Sequence, residues 1–103
     1  MAVAEVSVVP VGTGSASISD YVARAVNIVK ESGLKYELSS MATNIEGDVP
    51  EIMEVVRKIH ESAFEQGAVR VLTSLKIDDR HDKALTMDGK KAAVMNKTRA
   101  FAR

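Results

Sequence analysis

Few residues of this sequence could break a bond. The chain contains no cysteine, so thiolate chemistry and a disulfide framework are both excluded. Its only histidines are His60 and His81. His60 falls on the edge of an apolar helical stripe, with no second histidine at metal-ligand spacing beside it. His81 falls in a charged turn. Asp78, Asp79, His81 and Asp82 can be drawn as a metal cluster, but their order matches neither a calcium loop nor a zinc motif. They read as a solvated charge run. Gly12-Thr13-Gly14-Ser15-Ala16-Ser17 stands where a phosphate-binding loop would stand, ahead of a helix. It has neither the spacing nor the lysine of a P-loop, and no G-x-G-x-x-G. It reads as a flexible strand-to-helix connection. No nucleophile, base and orienting group form a recognisable set. The expectation is a protein that is not an enzyme, with no cofactor and no metal.

The organising element is Val69 to Arg80, the longest strand-like run. Val69, Val71, Thr73, Leu75 and Ile77 fall on one face at period two, and Arg70, Leu72, Ser74, Lys76 and Asp78 on the other. The first face should sit against helices. The polar second face must meet water, another subunit or a ligand. At 103 residues the chain is one domain with a thin core. Lys+Arg and Asp+Glu are equal at 14 each, so bulk charge points to neither nucleic acid nor an anionic membrane surface. No apolar run approaches the ~18 residues of a membrane span, and the first residues lack a signal-peptide pattern. A soluble, cytoplasmic protein is expected.

In chain order, Val3–Val9 is a first strand that Pro10 should end. Ser17 is the expected N-cap of a first helix with Val22, Ala25, Val26 and Val29 facing the sheet and Gly33 as its stop. Residues 35–40 and 41–46 form two strands of a hairpin turning near Ser40 and Met41. Asp48 caps a second helix, with Pro50 in its first turn. Its stripe is Ile52, Val56, Ile59 and Ala63, with Val49, Met53 and Phe64 beside it. Gly67 ends it. After the long strand, Thr86 or Asp88 caps a last helix from Gly89 to about Arg99, with Val94, Met95 and Phe101 as its apolar side.

Strand, helix, strand, strand, helix, strand is the ferredoxin-like βαββαβ arrangement, an α+β fold with an antiparallel sheet and here a C-terminal helix. Right-handed crossovers place both main helices on one face and order the strands 4-1-3-2. The opposite face then carries Glu5, Ser7, Val9, Glu37, Ser39, Arg70, Leu72, Ser74 and Lys76. It is too mixed for an idle solvent face and too polar for an ordinary core.

Val9-Pro10-Val11-Gly12-Thr13, Ser19-x-Tyr21-Val22, Tyr36-Glu37, Met41-Ala42-Thr43-x-x-Glu46-Gly47 and Val71-x-Thr73-x-Leu75-Lys76-Ile77-Asp78-Asp79-Arg80 together resemble the small thiamine-binding proteins. These are single-domain relatives of the duplicated YkoF protein. The resemblance covers most of residues 3 to 80. It implies the same ferredoxin-like fold and a homo-oligomer, commonly a tetramer of sheet-paired dimers. The implied ligand is thiamine or its hydroxymethyl-pyrimidine moiety.

An aminopyrimidine is flat and presents an exocyclic amine beside ring-nitrogen acceptors, so it needs a carboxylate or amide, a hydroxyl and an apolar wall. Thr43, Glu37, Ser39, Asn44 and Ser7 are the expected ligand-binding residues, with Thr43 first because it stands inside the Met-Ala-Thr motif. Tyr36, Met41 and Leu72 are the expected walls. The site is expected on the polar sheet face beside the hairpin, completed by another subunit. Strand parity restricts which of these side chains can meet. Two other classes fit the same residues: a structural or regulatory assembly domain with no metabolite, and a catalytic domain whose active site forms only between subunits.

Overall fold

In a computed structural model, residues 1–101 are described, with side chains through Thr98. The elements are β1 (Ala2–Pro10), α1 (Ser19–Ser32), β2 (Lys35–Leu38), β3 (Thr43–Gly47), α2 (Val49–Glu65), β4 (Val71–Asp79) and α3 (Met87–Phe101). The four strands form one antiparallel sheet in the order β2-β3-β1-β4, the expected ferredoxin-like order.

Register fixes two faces. Tyr36, Ile45, Ala4 and Ile77 make one cross-strand row, and Leu38, Thr43, Val6 and Leu75 the next. Both rows face α1 and α2. Ala2, Ala4, Val6, Val8 and Ile45 are buried there against Ala25 and Val29 of α1 and Ile52, Val55, Val56, Ile59 and Ala63 of α2. The open face carries the rows Lys35–Glu46–Val3–Asp78 and Glu37–Asn44–Glu5–Lys76, then the pairs Ser7–Ser74 and Val9–Leu72. The alternation expected for β1 and β4 is the one observed, although β4, at the sheet edge, buries its apolar face only halfway.

Several boundaries differ from the sequence expectation, each for a local reason. Val69 and Arg80 lie outside β4, and Val69 is 86% exposed. The hairpin turns over residues 39–42 rather than at Ser40 and Met41 alone, because both the N–H and the hydroxyl of Ser39 donate to the Ala42 carbonyl, at 2.9 and 2.8 Å. The first helix is capped at Ile18, one residue after Ser17, and has no side-chain cap. Met53 and Phe64 are exposed, while Val55 and Ser62 complete the stripe of α2. Gly33 ends α1 at φ 77°, a conformation glycine adopts without a Cβ penalty.

α3 does not pack along the body. Only its start is buried: Leu85 and Met87 are covered, and every residue from Asp88 to Thr98 is exposed. The molecule measures 48 × 34 × 19 Å with a radius of gyration of 15.7 Å, against about 13 Å for a compact chain of 100 residues. The side chain of Phe101, expected on the apolar side of the last helix, lies outside the described residues.

Ile52 is fully buried between the helices and the sheet. Ile52→Ala removes three carbons from a packed site and is expected to cost about 2–5 kcal/mol. Chemical denaturation, read as a shift in midpoint at unchanged slope, checks it.

Candidate functional site

The sheet's alternation divides the expected site residues between two faces. Thr43 points to the helix side, buried and in one row with Val6 and Leu38. Glu37 and Asn44 are direct cross-strand neighbours on the open face. Ser7 follows on that face, paired with Ser74. Ser39 stands in the turn between β2 and β3. The two strongest expectations, Thr43 and Glu37, therefore do not converge within one chain.

A cavity of about 340 Å³ opens at the hairpin end of the helix side. That lies within the ~300–1,000 Å³ typical of ligand pockets. β1 supplies Val6 to Val9, Ser7 among them, α1 supplies Val22 and Ala25 with Ile18 just before it, and α2 supplies Ile59. The turn supplies Leu38 to Ala42, and Thr43 follows from β3. None of the lining residues carries a charge. Among the described residues the Thr43 hydroxyl has no hydrogen-bond partner, and it is not sealed from solvent. Thr43 thus brings to a largely apolar lining a side chain whose hydroxyl can both donate and accept.

Met41, an expected wall, does border this cavity and is 85% exposed. Leu72 lies on the opposite face, and Tyr36 is packed beside the core outside the cavity. Ile18, Val22, Ala25 and Ile59 were not anticipated as cavity residues. Ile18 offers one readable signal, a large apolar residue at the mouth of a polar Gly/Ser loop.

The open face is organised by the start of α3. Glu46, quoted in the sequence motif but given no role there, is buried on the interior strand β3. Its Oε1 accepts the backbone N–H of Met87 at 2.8 Å, satisfying one of the unpaired donors at the helix start. Thr86 caps the same turn by accepting the Gly89 N–H at 3.0 Å. Asp88 pairs with Lys35 at 2.6 Å, Lys90 with Asp78, and Lys91 with Glu37. The Glu37 carboxylate is therefore engaged by α3.

The remaining chemistry-bearing residues have local partners. His60 Nδ1 lies 2.7 Å from the Thr73 hydroxyl, and its ring meets Phe64 edge-on. Arg80 pairs with Asp82, and His81 lies 3.3 Å from Asp79. Among the described residues no three His, Cys, Asp or Glu side chains are grouped to hold a metal ion. Among the described residues no helix is long and apolar enough to cross a membrane.

Fold and cavity define a ferredoxin-like α+β domain with an uncharged compartment at the hairpin end of its sheet. Comparison with known proteins narrows the class. Residues 4–95 match the family model described as "Thiamine-binding protein". The UPF0045 protein YqgV of Bacillus subtilis is 42% identical over 94 residues, spanning 87% of this chain and 90% of that one. A UPF0045 protein of Methanothermobacter thermautotrophicus is 48% identical over 83 residues, 80% and 84% of the two chains. Among solved structures, hypothetical protein MJ1052 from Methanocaldococcus jannaschii superposes with a TM-score of 0.84 at 42% identity, over 90% of this chain and 94% of that one. A Thermotoga maritima protein described as a candidate for thiamine biosynthesis or salvage gives 0.77 at 27% identity, over 90% and 97%. The chain belongs to the thiamine-binding protein family.

The ion pairs under α3 carry a pH dependence. The Lys35 ammonium donates to Asp88 and holds its carboxyl below the usual range. Lys35 and Lys91 are raised above the usual lysine range by the carboxylates of Asp88 and Glu37. A depressed carboxylate contributes stability above its unfolded pKa and loses it as pH falls through the folded value. A raised lysine contributes below its unfolded pKa and loses it as pH rises through the folded value. The anchor is thus intact near neutrality. Lowering the pH below the ordinary aspartate range should reduce amide protection in α3, corrected for intrinsic exchange rates, before protection in α2 falls.

Proposed function

We propose that this protein binds thiamine or its hydroxymethyl-pyrimidine moiety without chemical turnover, and does so as a homo-oligomer. The observation that carries this reading is the uncharged, largely apolar cavity that Thr43 lines. A planar aminopyrimidine needs that combination of apolar walls and one two-way hydrogen-bonding group. Family membership names the ligand class, and the thiamine role in the description of the Thermotoga maritima relative agrees with it. Ser39, in the turn lining the cavity, is the second contact. Ser7 also lines the cavity from β1, while Glu37 and Asn44 form a separate polar pair on the open face that a neighbouring subunit would bring to a ligand there.

Calorimetry with thiamine, hydroxymethyl-pyrimidine and their phosphates tests the ligand and separates the two faces. A neutral hydrogen bond is worth about 0.5–1.5 kcal/mol, so Thr43→Val should weaken binding roughly three- to tenfold. Glu37→Gln should weaken it by more only if the open face holds the ring amine. If Thr43→Val binds like the unaltered protein while keeping the fold, the cavity is not the site. If none of the compounds binds, an assembly role replaces the binding role.

The oligomer is proposed as a tetramer of sheet-paired dimers. Its support is the balanced charge, the mixed open face and the edge strand β4, whose nine residues have no outer strand partner among the described residues. Sedimentation at micromolar concentration should show a mass near four times the 11.1 kDa chain. A single species at chain mass would contradict it.

A further inference from the structure

The cavity exists because the sheet is ragged at one end. β3 leaves β1 at the Thr43–Val6 pair, while β1 runs on to Pro10 beside β4 alone. The chain that joins β2 to β3 therefore overhangs the gap with no strand under it. The last ladder pair before it is Leu38–Thr43. Beyond that pair the turn is fastened to itself, by the two bonds from Ser39 to the Ala42 carbonyl. Among the described residues no hydrogen bond ties residues 39–42 to another element. The turn is a unit that holds its own shape and has one attachment, the paired ends of β2 and β3.

Two apolar side chains at its edge stand in water. Leu38 is 61% exposed and Met41 85%. Both border the cavity, as do Ile18 and Val22 at the start of α1. Leu38, Ile18 and Val22 also border the shallow apolar groove that continues over α1. A movement of the turn toward α1 would bury Leu38 and Met41 against that helix start, and burial of such side chains is favourable. The cavity opposes the movement while it is empty. Closed over about 340 Å³ of unfilled space, the turn would seal a void whose lining atoms lack partners on one side. A ligand in that space supplies the missing contacts. Open and closed positions thus differ in their contacts with a ligand, and such a difference is what allows a ligand to shift the balance between them.

We propose that residues 39–42 form a ligand-gated flap. It stands open over an empty cavity and folds toward the start of α1 over an occupied one, with Leu38 and Met41 closing on Ile18 and Val22. Met41 is the side chain that retains the ligand, its unbranched thioether adapting to whatever face lies beneath it. Ser39 is a positioning residue, since its two bonds to Ala42 make the turn move as one piece. The inference rests on the cavity being the ligand site and adds how a ligand is held there.

The absence of cysteine makes the test direct. Ile18→Cys and Met41→Cys are combined in one chain, and a bridge within the chain is read as an oxidised species that stays at chain mass on a non-reducing gel. The probes are thiamine and hydroxymethyl-pyrimidine. The bridge should form faster with a probe bound than without one. Once formed it should trap the probe, which then stays with the protein through gel filtration and leaves on reduction. Met41→Ala, at an exposed position that spares the fold, should release the probe roughly three- to tenfold faster, as the loss of one apolar contact of this size implies. If neither probe binds the unaltered protein, the cavity reading and the flap fail together. If a probe binds in the cavity but bridging is no faster with it, or leaves its release unchanged, the cavity stands as the site and the flap is overturned, the turn being a fixed wall. If the double cysteine variant does not bind, release from Met41→Ala decides, and a rate equal to that of the unaltered protein overturns the flap.

Discussion

The alternation of side chains across the sheet is the constraint on which everything else here depends. Once β1 pairs Val6 with both Thr43 and Leu75, every residue of β3 and β4 is assigned to a face. A shift of one residue would exchange Thr43 for Asn44 against the helices and turn Ile45 toward water. Burial of Ala2, Ala4, Val6, Val8 and Ile45 under α1 and α2 opposes any such slip. The same alternation separates an apolar cavity on one side from a charged platform on the other, with a single layer of backbone between them.

That division explains how two neighbouring residues acquire unrelated roles. Thr43 and Asn44 are adjacent in sequence, yet one faces the cavity and the other stands beside Glu37 under the reach of α3. Glu46 on the same short strand is buried and holds the first N–H of α3. A buried carboxylate is retained only when its oxygens are satisfied, and here a helix start satisfies one of them. A strand of five residues thus serves the cavity with one face and positions an appended helix with the other.

Much of the fold was legible in the sequence because its signals are local. Period two in Ala4, Val6 and Val8 and in Val71, Thr73, Leu75 and Ile77 predicts both sheet faces, and the stripe of Ile52, Val56, Ile59 and Ala63 predicts the packed side of α2. The site was less legible because it depends on which distant elements meet. Thr43 could be singled out, but nothing local shows that Ile18 and Val22 of α1 would close over the hairpin turn. Glu37 carries the right chemistry for an amine, and only the tertiary structure shows Lys91 already on it. The 39–42 turn was misplaced because Ser39 captures the Ala42 carbonyl twice, a side-chain effect that strand propensity does not contain.

The fastening of α3 has a further consequence. Apart from the Glu46 contact and the buried Leu85 and Met87, its hold on the sheet consists of ion pairs whose members are about half exposed. Mobile ions screen such pairs over a Debye length of about 8 Å at physiological ionic strength and ~3 Å at 1 M, while apolar burial in the body gains rather than loses from most salts. The molecule is therefore joined in two grades. Concentrated electrolyte would leave the sheet and its two helices intact and let the last helix swing about Met87, so the salinity of the surroundings sets how firmly this appendage is aimed.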